Sequence, residues 1–196
     1  MRVTIFDYGA GNLHSLEKAL ATSGATTIVE SNPMRALETD VLVLPGVGAF
    51  GQAADRLAPA RDVMRTAILD GLPTIGICLG MQLLFDESDE APGVGLGVFG
   101  GRVTRLNAAR VPHIGWNSVD FAGERLAAPP ERVYYANSFA ARPADERVVV
   151  AWTTHDGDRF PAIVRRRGAI GVQFHPEKSS VDGVRFLGDV LAECVR

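Results

Sequence analysis

Gly76-Ile77-Cys78-Leu79-Gly80 sets a cysteine between two glycines, in the form G-x-nucleophile-x-G, where an apolar run gives way to a helical pattern. Small flanking residues let a chain turn sharply from strand to helix and lift the central side chain above a sheet. At a helix N-terminus the cysteine meets the positive end of the aligned peptide dipoles, which favours thiolate. A free thiol is mostly protonated at neutral pH, so a nucleophile here needs a base. A small buried core cysteine is the plain alternative.

The run GVQFHPEK, residues 171–178, offers that base. His175 stands at the tip of a β-like stretch, Pro176 restricts the backbone after it, and Glu177 follows two residues on. A cysteine–histidine–acid system needs an imidazole to accept the thiol proton and a carboxylate to orient that imidazole. His14, His113 and His155 compete for the role, but only His175 pairs the end of an apolar strand with an acid two residues away. A third segment, Pro45-Gly46-Val47-Gly48, follows the apolar run DVLVL. Glycines bring backbone N–H groups close to an oxyanion, so a donor from Val47 or Gly48 together with Leu79 N–H would form an oxyanion hole. An ordinary turn is the alternative there. The loop is not a Walker A motif, which demands G-x-x-x-x-G-K-[ST].

These segments are useful only if a fold brings them together. Arg2–Phe6 (RVTIF) and Thr26–Glu30 (TTIVE) read as strands, with Leu13, Leu16, Ala19 and Leu20 at helical spacing between them. Asp40–Leu44 and Leu72–Ile77 are almost wholly apolar, as expected of parallel strands covered on both faces. A helix is predicted from about Ala53 to Leu69, and another from Met81 to Phe85. The order predicts an α/β fold: an open, mostly parallel sheet with helices on both faces. Ligands bind such sheets at the carboxyl ends of strands, which is where Cys78 and the glycine loop fall. The second half differs. VFGGRVTRL, HIGWNSVDF, RVYYANSFAA, RVVVAWTTH, FPAIVRRRGA and IGVQFH predict added antiparallel hairpins, closed by a helix from Asp182 to about Cys194. No linker or repeat interrupts residues 1–196, which predicts a single domain.

Composition narrows the class. A chain of 196 residues, 46% hydrophobic and 22% charged, is globular in make-up. A net charge of −3 excludes a basic nucleic-acid footprint. Two cysteines, Cys78 and Cys194, form no disulfide framework, and neither a signal peptide nor an apolar membrane span is visible, so the expected location is the cytoplasm. No cofactor or metal is called for, since no ligand cluster appears. Lysine is rare, only Lys18 and Lys178, against eighteen arginines.

GICLGMQLLF, PGVGAF and GVQFHPEKS together resemble the nucleophile, oxyanion and His–Glu segments of class I (triad) glutamine amidotransferases, and the resemblance spans essentially the whole chain. DYGAGNLHS, PGVG, PHIGWN and YYANSFA are further similar to the glutaminase subunits of imidazole glycerol phosphate synthases. The loop differs from the PGPG usual in subunits serving anthranilate or aminobenzoate formation, and from PGGES in pyridoxal phosphate synthases. The resemblance implies a flavodoxin-like fold and a Cys78–His175–Glu177 triad. It assigns Gly46, Gln82, Ser138 and Phe139 to glutamine binding, with Asn137 standing where many members have histidine. It implies a heterodimer with a (β/α)₈-barrel cyclase subunit, faced by Asn12, Trp116 and Lys178. GICLG alone would also suit a cysteine peptidase or esterase, and the family also contains subunits serving other acceptors.

Overall fold

The structure is a computed structural model that describes residues 1–9, 13–121 and 129–194. The chain opens with β1 (Arg2–Phe6), α1 (His14–Ala21), β2 (Thr26–Glu30), β3 (Val41–Leu44), α2 (Phe50–Leu57), α3 (Arg61–Leu69), β4 (Thr74–Ile77) and α4 (Leu79–Leu83). Short strands follow: β5 (Glu87–Ser88), β6 (Gly101–Arg105), β7 (His113–Ser118), β8 (Asp120–Phe121), β9 (Arg132–Asn137) and β10 (Phe139–Pro143). The chain ends with β11 (Val149–His155), β12 (Asp158–Arg166), β13 (Ala169–Val172) and α5 (Ser180–Cys194).

Among the described residues the main sheet has eight strands, in the order β2-β1-β3-β4-β13-β12-β11-β8. The first five are parallel and the last three join antiparallel. Alternation along each strand divides the core. Val3 and Ile5 of β1, Val41 and Val43 of β3, and Ile75 and Ile77 of β4 face Leu16 and Leu20 of α1 and Phe186 and Leu187 of α5. Phe6, Leu42 and Leu44 point the other way, into a layer with Phe50, Leu57, Met64 and Ile68 of α2 and α3. The side chains of β3 are all buried, which is why that stretch is continuously apolar. Each fully buried Leu, Ile or Phe contributes about 1.5–3 kcal/mol against exposure. Two smaller sheets, β10-β6-β5 and β7-β9, lie beside the main one.

Three expectations change. The predicted Ala53–Leu69 helix is two helices, because Pro59 imposes a 3₁₀ turn at Ala58–Ala60 between them. RVYYANSFAA is two strands in different sheets, parting at Ser138. IGVQFH does pair antiparallel in a hairpin with β12, but it is not merely added to the core: β13 is itself a strand of the parallel part, paired on its other side with β4.

Candidate functional site

The register of β3, β4 and β13 puts Leu44 opposite Gly76 and Val172 opposite Ile77. Three chain segments therefore leave one edge of the sheet together: Pro45–Gly48, Cys78, and Gln173–His175. The pairing continues one residue further, since Cys78 N–H donates to Val172 O at 2.7 Å. Cys78 then turns abruptly, at φ 46° and ψ −103°, a sparsely populated region costing about 1–3 kcal/mol. The flanking glycines make the turn fit. A Cβ on Gly76 would lie 2.6 Å from Gly80 O, and one on Gly80 would lie 1.9 Å from Leu44 O. A Cβ on Gly46 would come within 2.9 Å of His175 Cε1 and 3.1 Å of Cys78 Cβ. Bare backbone at Gly46 is what lets the loop lie against the Cys78–His175 pair.

His175 is 2% exposed, with its N–H on Tyr134 O at 2.9 Å and its carbonyl accepting from Ser179 Oγ at 2.7 Å. Pro176 opens a 3₁₀ turn, Pro176–Lys178, which folds Glu177 back so that Oε1 lies 2.8 Å from His175 Nδ1. With Nδ1 taken, Nε2 is the ring nitrogen that remains for Cys78, whose side chain lies with the imidazole against Gly46. Burial pushes the imidazole toward neutrality, but the Cys78 and Glu177 charges outweigh it and raise its pKa from 6.5 to about 10. His175 therefore holds a proton more tightly than an ordinary imidazole does.

Cys78 opens on a cavity of about 220 Å³, whose walls include Gly46, Gly48, Leu79, Gln82, Ser138 and Phe139. Gly48 adopts φ 115°, a conformation that glycine takes readily. Val47, between the two glycines, is partly buried. Gln82 Nε2 donates to Phe139 O at 3.0 Å. Two further residues belong here that sequence reasoning passed over. Glu90 lines the cavity while one carboxylate oxygen accepts Phe50 N–H at 3.2 Å, and nothing distinguished it in sequence from Glu87 and Asp89 nearby. Gln173 is fully buried, 3.5 Å from Cys78 Sγ; a polar residue in an apolar strand run was its one visible signal. Larger hollows of about 730 and 660 Å³ lie elsewhere, but neither touches Cys78.

The competing histidines stand apart. His113 and His155 stack on each other at 4.0 Å, and His113 also stacks on Tyr135 at 4.7 Å. Burial, with help from His155 and against Asp156, lowers the His113 pKa to about 4, so it packs as a neutral ring. His14 begins α1. Trp116 is 46% exposed on β7, edge-on to Tyr134, and Lys178 is exposed beyond Glu177. Neither lines the Cys78 cavity, and Asn12 lies outside the described residues. Among the described residues no group of three or more His, Cys, Asp or Glu side chains is placed to hold a metal ion. No helix among them is long and apolar enough to cross a membrane.

The family model of glutamine amidotransferase class-I matches residues 4–192. The chain belongs to the class-I glutamine amidotransferase family. Among curated relatives of this amidotransferase, the imidazole glycerol phosphate synthase subunit HisH of Pyrococcus furiosus is 42% identical over 191 residues, covering 95% of this chain and 96% of that protein. The subunit of the same name from Methanopyrus kandleri is 41% identical over the full length of both. A solved glutamine amidotransferase superposes with a TM-score of 0.77 at 20% identity, covering 98% of each chain. Another, from Thermotoga maritima, gives 0.73 at 17% identity over 100% of this chain and 98% of that one. At those identities the structural likeness speaks for the fold, and the amidotransferase assignment rests on the sequence matches.

Proposed function

We propose that the chain hydrolyses glutamine to glutamate and ammonia through Cys78, His175 and Glu177, and passes the ammonia to a cyclase partner. The observation that carries the reading is that Cys78 and His175 lie together against Gly46, with Glu177 2.8 Å behind the imidazole, where Cys78 opens on a cavity of small-metabolite size. The thiolate attacks the side-chain carboxamide carbon, and the electron pair of the C=O bond moves to oxygen. Leu79 N–H and a donor from Val47 or Gly48 stabilise that oxyanion. His175 gives its proton to the leaving nitrogen, ammonia departs, and a thioester remains. A water then attacks the thioester, giving its proton to His175, and glutamate leaves as the thiolate re-forms. Glu177 keeps the imidazole oriented throughout. Gly46, Gln82, Ser138 and Phe139 hold the amino-acid end of the substrate, and the Glu90 carboxylate suits its ammonium group.

The curated relatives carry the name of an imidazole glycerol phosphate synthase subunit, which supports a place in histidine biosynthesis for this chain. The partner is then a (β/α)₈-barrel cyclase subunit that uses the ammonia to make imidazole glycerol phosphate and an aminoimidazole carboxamide ribonucleotide. Trp116 and Lys178 belong to the face toward that partner, in a cytoplasmic heterodimer, with residues 1–196 acting as one domain. Glutamate release, measured with and without the cyclase subunit and its ribonucleotide, tests the reading. Cys78→Ala should abolish it while leaving the fold and the association intact, since triad members act as a unit. Undiminished hydrolysis in Cys78→Ala overturns the assignment.

A further inference from the structure

Gln173 lies one residue beyond β13 and two before His175, fully buried. Its backbone N–H continues the sheet by donating to Ala162 O at 2.9 Å, so its position is set by the core. Its side chain joins two others. Gln82 Nε2 donates to Phe139 O at 3.0 Å and approaches Gln173 Oε1 at 3.3 Å, while Gln173 Nε2 lies 3.5 Å from Cys78 Sγ.

The direction of this relay follows from its far end. A backbone carbonyl can only accept, so Gln82 must turn its NH₂ toward Phe139. The same NH₂ faces Gln173, which must answer with its carbonyl oxygen. That leaves the Gln173 NH₂ facing the sulfur. Amide orientation is decided by such a network, and here each link admits only one choice. Asn137 Nδ2 occupies the same Phe139 carbonyl at 3.0 Å, giving it a second donor and anchoring the end of the relay.

We propose that Gln173 is a positioning residue for the nucleophile, donating an N–H to the Cys78 sulfur while His175 serves as its base. Cys78 is 6% exposed, so its thiolate has little water to solvate it and draws on fixed donors instead. Sulfur is a weak acceptor as a thiol and a stronger one as an anion, so the bond tightens when the proton leaves. The relay also ties the nucleophile to Phe139 in the cavity wall, so that sulfur and substrate-facing backbone are held in one frame. The inference rests on Cys78 being the nucleophile.

The test uses the full chain in a Cys194→Ala background, with iodoacetamide as the probe and Gln173→Glu and Gln173→Met as the variants. Gln173→Glu keeps an oxygen for Gln82 and loses the donor to sulfur. Gln173→Met keeps the bulk and loses both. Both should still label at one equivalent per chain, but about tenfold or more slower than the parent, the usual worth of a hydrogen bond to a charged group. In glutamine turnover with the cyclase subunit, Gln173→Glu should lower kcat with KM moving by less than about threefold. Gln173→Met should change both, because Gln82 is also released. A role in packing alone would lower the melting temperature without that split. Parental labelling rates in either folded variant overturn the proposal. Alkylation needs no glutamine, so that outcome leaves the glutaminase reading standing, whereas undiminished hydrolysis by Cys78→Ala removes the reading itself.

Discussion

Replacing Gly80 by alanine should disable the site from behind, through the backbone alone. The added Cβ would lie 1.9 Å from Leu44 O and 2.5 Å from Leu44 C, where ordinary contact begins at 3.4 Å. Helix α4 and strand β3 must therefore part by about 1.5 Å. Leu44 cannot retreat easily, because it is fully buried and paired with Gly76 in the parallel ladder. The helix must move instead, and it starts at the residue after Cys78, whose own N–H is tied to Val172 O. Overpacking usually costs about 1–3 kcal/mol, and a clash with backbone belongs at or above the top of that range. At about 2–4 °C per kcal/mol for a chain of this size, a 3 kcal/mol loss lowers the melting temperature by about 6–12 °C. A misplacement near 1 Å costs about 10² in rate, so glutamine turnover and Cys78 alkylation should both fall by that order. Gly188→Ala is the control: its Cβ meets only Ser23 Cβ at 3.7 Å within α5, so it should stabilise by about 0.5–1 kcal/mol. Circular dichroism melting and timed alkylation read both. A Gly80→Ala protein melting within about 2 °C of the parent and turning over within about threefold would show that the contact is not the constraint argued here.

Within the proposed triad, His175→Ala should be nearly as damaging to glutamine hydrolysis as loss of the nucleophile, and Glu177→Gln less so, because Glu177 orients rather than transfers protons; the reverse order in steady-state assays reassigns the roles. His113 has a folded pKa of about 4 against 6.5 ordinarily, so between those values the unfolded chain holds a proton that the folded chain refuses. Stability should therefore fall as pH drops from about 6.5 toward 4, and urea titrations at several pH values should show a flatter profile for His113→Phe. Gly48 sits at φ 115°, which proline cannot adopt, and proline also lacks the N–H donor. Gly48→Pro should lose about 10²–10³ of the glutaminase activity measured with the cyclase subunit while Cys78 remains alkylatable; turnover at the parental level excludes Gly48 from the oxyanion hole.

Much of the site was legible because its chemistry is local. A strand-to-helix elbow needs small residues at fixed offsets, so GICLG declares itself within five positions. An imidazole and a carboxylate two residues apart are similarly compact, and the proline between them opens the turn that brings Glu177 back to His175. The apolar runs of β3 and β4 announced a covered parallel sheet for the same reason: burial on both faces leaves no polar alternation. Local signals also misled. Helical periodicity carried through Pro59 on paper, whereas the missing N–H and fixed φ split the helix there.

What no local pattern contained was which strands become neighbours. Cys78 and His175 meet because β13 crosses back to pair with β4, and that pairing depends on burying Val172, Ile170 and Ile77 in one core with residues far away in sequence, which neither motif read alone reveals. Ser138 and Phe139 reach the cavity because RVYYANSFAA divides between two sheets, which strand propensity alone reads as one run. Gln173 and Glu90 gain their places through contacts with Cys78 and Phe50, ninety-five and forty residues away. Amino-acid types and spacings determined which groups had the chemistry to act, because reactivity and turn geometry are properties of a few adjacent residues. Distance, burial and hydrogen-bond direction between those groups were decided by the tertiary structure alone, because they depend on how the whole core packs.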